Sequence, residues 1–201
     1  MYKSQNITSK TPTIAVFDFD GTLTTKDTLL LFIRYSFGTI RFILGMALYF
    51  PLIILMIFRL YPNWKCKEKI FSYFFKGMPY EDFKSLGEDF GNRFRNIIIR
   101  PTMKERLLWH LEQGHKVYVI SASIEEWVKP FFRNLSDVTV LATKVKRDLS
   151  GFTSNNCYGQ EKVERFLKVE PDRANYFLYA YGDSRGDREM LALSDSPTLV
   201  K

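Results

Sequence analysis

The chain is short of several things, and each shortage removes a class of explanation. Its 201 residues include two cysteines, Cys66 and Cys157, without paired spacing. Neither a disulfide framework nor a cysteine-based zinc knuckle is indicated, and a reducing cytoplasm is expected. The two histidines, His110 and His115, lie five apart. On one helix they would not share a face, so a metal pair is not expected. The first ten residues are polar and lack the apolar centre of a secretory leader, so secretion is not expected. The patterns Asn6-Ile7-Thr8 and Asn134-Leu135-Ser136 therefore carry no glycosylation meaning. Internal repeats and low-complexity linkers are absent. Acidic residues are missing from Thr28 to Lys67, where the charges are Arg34, Arg41, Arg59, Lys65 and Lys67.

What remains is a chain able to pack a core. Hydrophobic residues make up 46%, and 18 Phe and 11 Tyr give an aromatic-rich interior. The formal net charge of +7 favours anionic partners such as phosphate esters or anionic lipid. No recognition motif accompanies the charge, so nucleic acid is not expected.

Periodicity predicts strands at 13–19, 116–120, 138–142, 176–181 and 197–200. It predicts helices over 80–98, 102–113, 125–134 (interrupted at Pro130), 161–167 and 188–193, with a polar segment at 143–157 that forms a small hairpin. Strands alternating with helices imply an α/β fold with a mostly parallel sheet. Residues 27–100 break that alternation after the first strand and read as an inserted helical block.

The chemistry is concentrated at strand ends. Ala15-Val16-Phe17-Asp18-Phe19-Asp20-Gly21-Thr22 is an apolar run ending in two carboxylates, a glycine and a hydroxyl. Open α/β sheets bind ligands at that edge. Paired carboxylates there need a cation or a shared proton, and a hard-oxygen Mg²⁺ site meets that need. A plain surface turn is the bland alternative. Tyr181-Gly182-Asp183-Ser184-Arg185-Gly186-Asp187 supplies two more acids, four apart, that can approach the same ion. Ser121 ends a strand and can donate to a phosphoryl oxygen, or cap a helix; Ser123 with Glu126 has capping-box spacing. Lys162 opens a helix, where it is either a phosphate-neutralising cation or a solvated surface lysine. Cys66 and Cys157 are expected to be inert, and the aromatic stripe at 71–75 is expected to be core.

The order D-x-D-G-T, strand-Ser, Lys, G-D-x-x-x-D resembles that of the haloacid dehalogenase-like hydrolases, over about 13–26 and 101–200. The resemblance implies a Rossmann-like core, a Mg²⁺ cofactor and an aspartyl-phosphate mechanism. It assigns the nucleophile to Asp18 and the general acid and base to Asp20. It gives phosphate contacts to Ser121 and Lys162. Metal ligation falls to Asp18, the Asp20 carbonyl and Asp183, with Asp187 a ligand or just behind one. An insertion after the first motif is similar to the C1-type cap of the phosphoserine-phosphatase-like branch. In that branch a Glu stands nine residues after the nucleophile, and an Asn precedes the last Asp. Here those places hold Asp27, a candidate substrate contact, and Gly186.

Phe42–Phe58 is a run of 17 uncharged residues containing Gly45 and Pro51. A single membrane crossing would separate Asp18 from Asp183, which the site needs together. The run is therefore either buried cap core or a Pro51-centred helical hairpin dipping into one leaflet, anchored by Tyr49, Tyr61 and Trp64. The cationic flanks favour the second and an anionic membrane surface. The pattern also resembles phosphatidylglycerophosphatase C-like members, including C-x-G-x-x-K at 157–162. The expectation is a core of 1–26 plus 101–201, a cap of 27–100, and a phosphatase at the cytoplasmic face of the membrane acting on a phosphorylated lipid. The alternatives are a soluble small-molecule phosphatase, such as one for phosphoserine, and a non-catalytic scaffold of the same fold.

Overall fold

The computed structural model describes residues 11–153 and 155–201. Most of the polar lead-in at 1–12, with the Asn6 pattern, lies outside them. Five parallel strands form one sheet in the order β3-β2-β1-β4-β5. They are β1 (Thr13–Phe17), β2 (Lys116–Ile124), β3 (Val138–Thr143), β4 (Phe177–Gly182) and β5 (Ser196–Leu199). β1 is central, with Val16 opposite Tyr118 on one side and Ala180 on the other. Its residues are apolar on both faces because both faces are covered. Ile14 and Val16 pack with Val163, Phe166 and Met190, while Ala15 and Phe17 pack with Val117, Val119 and Leu107. The chain moves outward from β1 through β2 to β3, then returns to the other side as β4 and β5. The carboxyl end of β1 thus lies at the switch point where such sheets open a crevice.

Four helices follow β1 as the inserted block: α1 (Thr28–Leu48), α2 (Phe50–Ile57), α3 (Asn63–Phe75) and α4 (Tyr80–Ile98), and α5 (Pro101–Glu112) then leads into β2. Then come α6 (Glu125–Val128) with a 3-10 turn over Lys129–Phe132, α7 (Gln160–Val169) and α8 (Arg188–Leu193). The aromatic stripe does form interior. Phe32 stacks on Phe75 at 5.4 Å, meets Phe83 and Phe90 edge-on, and lies 4.6 Å from Trp127 of α6. Phe131 continues the cluster to Phe19 beside β1. The inserted block and the sheet share one core. Two glycines permit this contact: a Cβ at Gly87 would sit 2.4 Å from the Glu126 carbonyl oxygen, and one at Gly91 would sit 2.4 Å from Pro130 Cβ.

Three expectations are corrected. His110 and His115 do meet, with Nδ1 atoms 2.8 Å apart. The helix ends at Glu112 and Gly114, at φ +71°, turns the chain back, so helical spacing does not apply. Ser123 caps no helix; β2 runs through it, and its hydroxyl is used elsewhere. The apolar run does not reverse at Pro51. Tyr49 N donates to Gly45 O and Ile53 N to Tyr49 O across a shallow break, and Pro51 sits in the first turn of α2, where its missing N–H costs little. The sharp breaks fall at Gly38 (φ +77°) and Arg59 (φ +61°). Nor is the run buried: within Phe42–Phe58 only Gly45 is fully enclosed.

Candidate active site

The two carboxylates of the first motif diverge. Asp18 comes directly after β1, and its N–H donates to the Tyr181 carbonyl of β4 at 2.9 Å. Its side chain is buried and forms an ion pair with the Lys162 ammonium. Lys162 lies in the first turn of α7, is almost fully enclosed, and also contacts Asp187 at 2.6 Å. It is no surface lysine. Burial opposes its charge, but Asp18 and Asp187 outweigh that effect and hold the ammonium pKa above its usual range. Burial pushes the Asp18 carboxyl up to about 7, against the pull of Lys162 and with the push of Asp187.

Asp183 comes directly after β4 and accepts a hydrogen bond from Thr22 Oγ1 at 3.2 Å. The glycine of the first motif is explained here. Gly21 has φ +80°, and a Cβ on it would lie 2.2 Å from Asp183 Oδ2. Only a residue without a side chain lets the two motif loops close on each other. Arg100 steadies the same loop from the start of α5, donating from Nη2 to the Gly21 carbonyl at 2.9 Å and from Nε to that of Thr22 at 3.3 Å.

Asp187 is fully engaged. Oδ1 accepts from Lys162; Oδ2 accepts from Ser184 N at 3.0 Å and Ser184 Oγ at 2.9 Å. Asp18, Asp183 and Asp187 nevertheless bring carboxylate oxygens within 4.8 Å of one another. Three carboxylates against one ammonium leave an excess of two negative charges. Hard oxygen donors with that deficit fit a divalent cation such as Mg²⁺.

Asp20 turns toward the inserted block. Oδ1 accepts from the Thr28 N–H at 2.9 Å, at the start of α1, and Oδ2 accepts from the Ser123 hydroxyl. Ser123 Oγ is 3.0 Å from Thr28 Oγ1, which accepts from Trp127 Nε1 at 3.1 Å. Indole N–H is only a donor. With Asp20 ionised, the chain is therefore polarised one way: Trp127 to Thr28 to Ser123 to Asp20. Burial raises the Asp20 pKa and Asp27 adds to it, while Lys67 of α3 and the bonds from Ser123 and Thr28 oppose the rise. Such a carboxyl holds a proton more readily than an ordinary aspartate.

Ser121 does not end its strand as expected: it is buried inside β2, opposite Ala142, where the pairing with β3 shifts register. Its Oγ accepts from Ser123 N at 2.9 Å, and among the described residues no acceptor takes its own hydroxyl proton. Asp27 caps α1, accepting from Leu30 N at 3.1 Å, and is exposed. The two cysteines are buried, and burial pushes the Cys157 thiol up to about 11.

The fold thus gathers Asp18, Asp20, Ser121, Lys162, Asp183 and Asp187 at one sheet edge and leaves Asp27 at its rim. Sequence reading missed Thr22, Thr28, Lys67, Arg100 and Trp127. Thr28 contacts residues 95 and 99 positions away, which no local pattern reveals.

Comparison with known proteins bears on this arrangement. The family model described as haloacid dehalogenase-like hydrolase matches residues 15–192. Protein CicA of Caulobacter vibrioides is 32% identical over 190 residues, covering 92% of this chain and 84% of CicA. Among solved structures, a protein of unknown function from Bordetella pertussis Tohama I superposes with a TM-score of 0.78 at 16% identity, covering 94% of this chain and 90% of that one. A phospho-aspartyl intermediate analogue of phosphoserine phosphatase superposes with a TM-score of 0.60 at 18% identity, covering 92% and 84%.

Proposed function

From the chain's place among the haloacid dehalogenase-like hydrolases, to which it belongs, we propose that it is a Mg²⁺-dependent phosphomonoester hydrolase working through an aspartyl-phosphate. The observation that carries the reading is the buried Lys162 ammonium held between Asp18 and Asp187, with Asp183 alongside and Asp20 on the next turn of chain.

Asp18 and Asp183, with the Asp20 carbonyl, would hold the ion, and Asp187 would orient Lys162 from behind. When bound, the ion supplies positive charge to the phosphoryl oxygens. Asp18 Oδ1 is occupied by Lys162, so Oδ2 is the oxygen that attacks phosphorus. The bond from phosphorus to the ester oxygen breaks, and Asp20 gives that oxygen its proton. Water then attacks the phosphorus of the aspartyl-phosphate and surrenders a proton to Asp20. The phosphorus–Asp18 bond breaks, releasing inorganic phosphate. Acid–base assistance of this kind is worth about 10²–10⁴-fold. Lys162 and the Ser121 hydroxyl offset charge on the non-bridging oxygens, the main demand of this transfer. A scaffold would have no use for a buried ion cluster of this composition.

Residues 27–100 act as the cap over a core of 1–26 plus 101–201, with α1 and α3 bringing Thr28 and Lys67 to Asp20. The substrate is a phosphorylated lipid such as phosphatidylglycerophosphate, hydrolysed at the cytoplasmic face. The bare apolar surface of α1 and α2 supports that choice, since a water-soluble substrate gives no reason for it. The runner-up is a soluble ester such as phosphoserine, favoured by fold neighbours that include phosphoserine phosphatases. Against it, the shortened Asp27 is used as a helix cap.

The test is Mg²⁺-dependent phosphate release from phosphatidylglycerophosphate in detergent micelles and from free phosphoserine, with Asp18→Asn as blank. Preference for the lipid supports the first substrate, and preference for phosphoserine installs the second. Near wild-type release by Asp18→Asn would sink the nucleophile assignment.

A further inference from the structure

The second half of α1 and all of α2 form a helical arm that is apolar on every side but covered on only one. Its inner side is seated. Gly45 lies against Phe74 so closely that a Cβ would be 2.2 Å from the ring, and Phe42, Met46, Leu52 and Ile53 pack on the core. Its outer side is bare. Ile40, Ile43, Leu44, Leu48, Ile57 and Phe58 are 57–77% exposed, and α2 has no fully buried residue. A helix hydrophobic all round is normally enclosed, and a contiguous apolar patch of this kind marks an interaction surface.

The charges around the patch identify the occupant. Arg41 and Arg59 close the two ends of the uncharged run; Arg34, Lys65 and Lys69 are exposed nearby, and no acid occurs from Thr28 to Lys67. A second copy of this chain would bring the same cations against them. An anionic bilayer complements both the apolar face and its cationic rim. We propose that this arm docks on the interfacial layer of an anionic membrane; the inference deepens the lipid-phosphate reading above and rests on it.

The arm lies on the membrane and does not cross it. By length and composition Thr28–Leu48 could cross a membrane, but Gly38 breaks it and its first half is locked into the core through Leu29, Phe32 and Ile33. Thr39 to Ile57 would be about 28 Å long, near the thickness of the hydrocarbon layer, but Phe42, Gly45, Met46, Leu52 and Ile53 seat its inner side on the core along that length, so lipid can meet its outer side only.

The arm borders a groove that adjoins a second cavity near the Asp183–Asp187 loop. The groove, of about 980 Å³, is lined by Leu48, Leu52 and Leu55 together with Lys69, Lys76 and Lys146. Glu68 lines both this groove and a neighbouring cavity of about 750 Å³ that reaches Tyr158. Tyr158 packs on Gly186 of the Asp183–Asp187 loop, where a Cβ would be 2.4 Å from its ring.

The experiment is vesicle co-sedimentation of the full chain, at low salt, with phosphatidylcholine alone and with about one-third phosphatidylglycerol. Hydrolysis of water-soluble p-nitrophenyl phosphate is measured in parallel. We expect sedimentation with the anionic vesicles and weakening as salt rises. Ile43→Ser/Leu44→Ser/Phe58→Ser should lose at least tenfold in partitioning while keeping its soluble hydrolysis. Arg41→Glu/Arg59→Glu should lose the preference for anionic vesicles. The proposal is overturned if the wild type stays in the supernatant, if the triple variant sediments equally well, or if the wild type is a dimer that the triple variant abolishes without any vesicle binding. Vesicle binding does not require turnover, so binding without hydrolysis fails the enzyme reading alone, and hydrolysis without binding fails this one alone.

Discussion

Gly21→Ala perturbs the site by an amount that the structure sets, and Gly114→Ala supplies its control. Both glycines have positive φ, +80° and +71°. Forcing alanine into that region costs roughly 1–2 kcal/mol at either position. At Gly114 nothing lies within 4 Å of the new Cβ, so the strain is the whole effect. At Gly21 the Cβ would lie 2.2 Å from Asp183 Oδ2. An ordinary contact is about 3.5 Å, so Asp183 or the Gly21 loop must move by roughly 1 Å. Displacement of a reacting constellation by that amount costs about 10²-fold in rate. Both variants should lose roughly 2–8 °C in melting temperature for a chain of this size, from the shared strain. Only Gly21→Ala should also lose about 10²-fold in kcat for phosphate release and require more Mg²⁺ for half-maximal rate. Thermal denaturation and steady-state kinetics across a Mg²⁺ series measure both quantities. Equal activity in the two variants would refute the idea that the glycine serves the approach of the two acidic loops.

Two further outcomes are expected. Thr28→Val keeps the backbone bond to Asp20 but removes the hydroxyl that links Trp127 to Ser123. The buried indole N–H loses its acceptor, at about 1–3 kcal/mol, and Asp20 loses orientation worth about tenfold in kcat; an unchanged kcat with reduced stability would show that the relay only holds the fold. His110 is buried beside His115 and Tyr181, and burial, with the neighbouring His115 and Arg106, lowers its pKa from 6.5 to about 4. The unfolded chain takes up this proton first, so the neutral ring's contribution is complete above pH 6.5 and is lost as pH falls toward 4. The loss is about 1–3 kcal/mol. Urea midpoints at about pH 7 and about pH 4.5 should therefore fall further for the wild type than for His110→Asn, and parallel falls would remove His110 as the cause.

Much of the site was legible because its residues are bound to strand ends. An apolar strand must stop somewhere, and the residues just past its end are carried to the sheet edge whatever else the chain does. Asp18 and Asp183 could be located in this way; Ser121, which lies inside β2, and Lys162, which the residues alone left open as a surface lysine, took their roles from the resemblance in motif order. The relay behind Asp20 could not. Trp127, Thr28 and Ser123 are joined across 95 and 99 residues, and only the docking of the inserted helices on α6 brings them together. The histidines mislead for a local reason: helical spacing holds only as far as the helix does, and Gly114 turns the chain before His115.

The sequence by itself determined the α/β alternation, the position of the insertion and the chemical character of the sheet edge, because each depends on short-range periodicity or on a residue's place after a strand. The tertiary structure decided how the carboxylates divide their partners, Asp18 facing Lys162 and Asp20 facing the inserted helices. It also decided the fate of the apolar run. Hydrophobicity alone cannot separate a helix that fills a core from one that lies across it. Gly45 against Phe74 marks the covered side, and the bare Leu44 and Phe58 mark the side left for a partner.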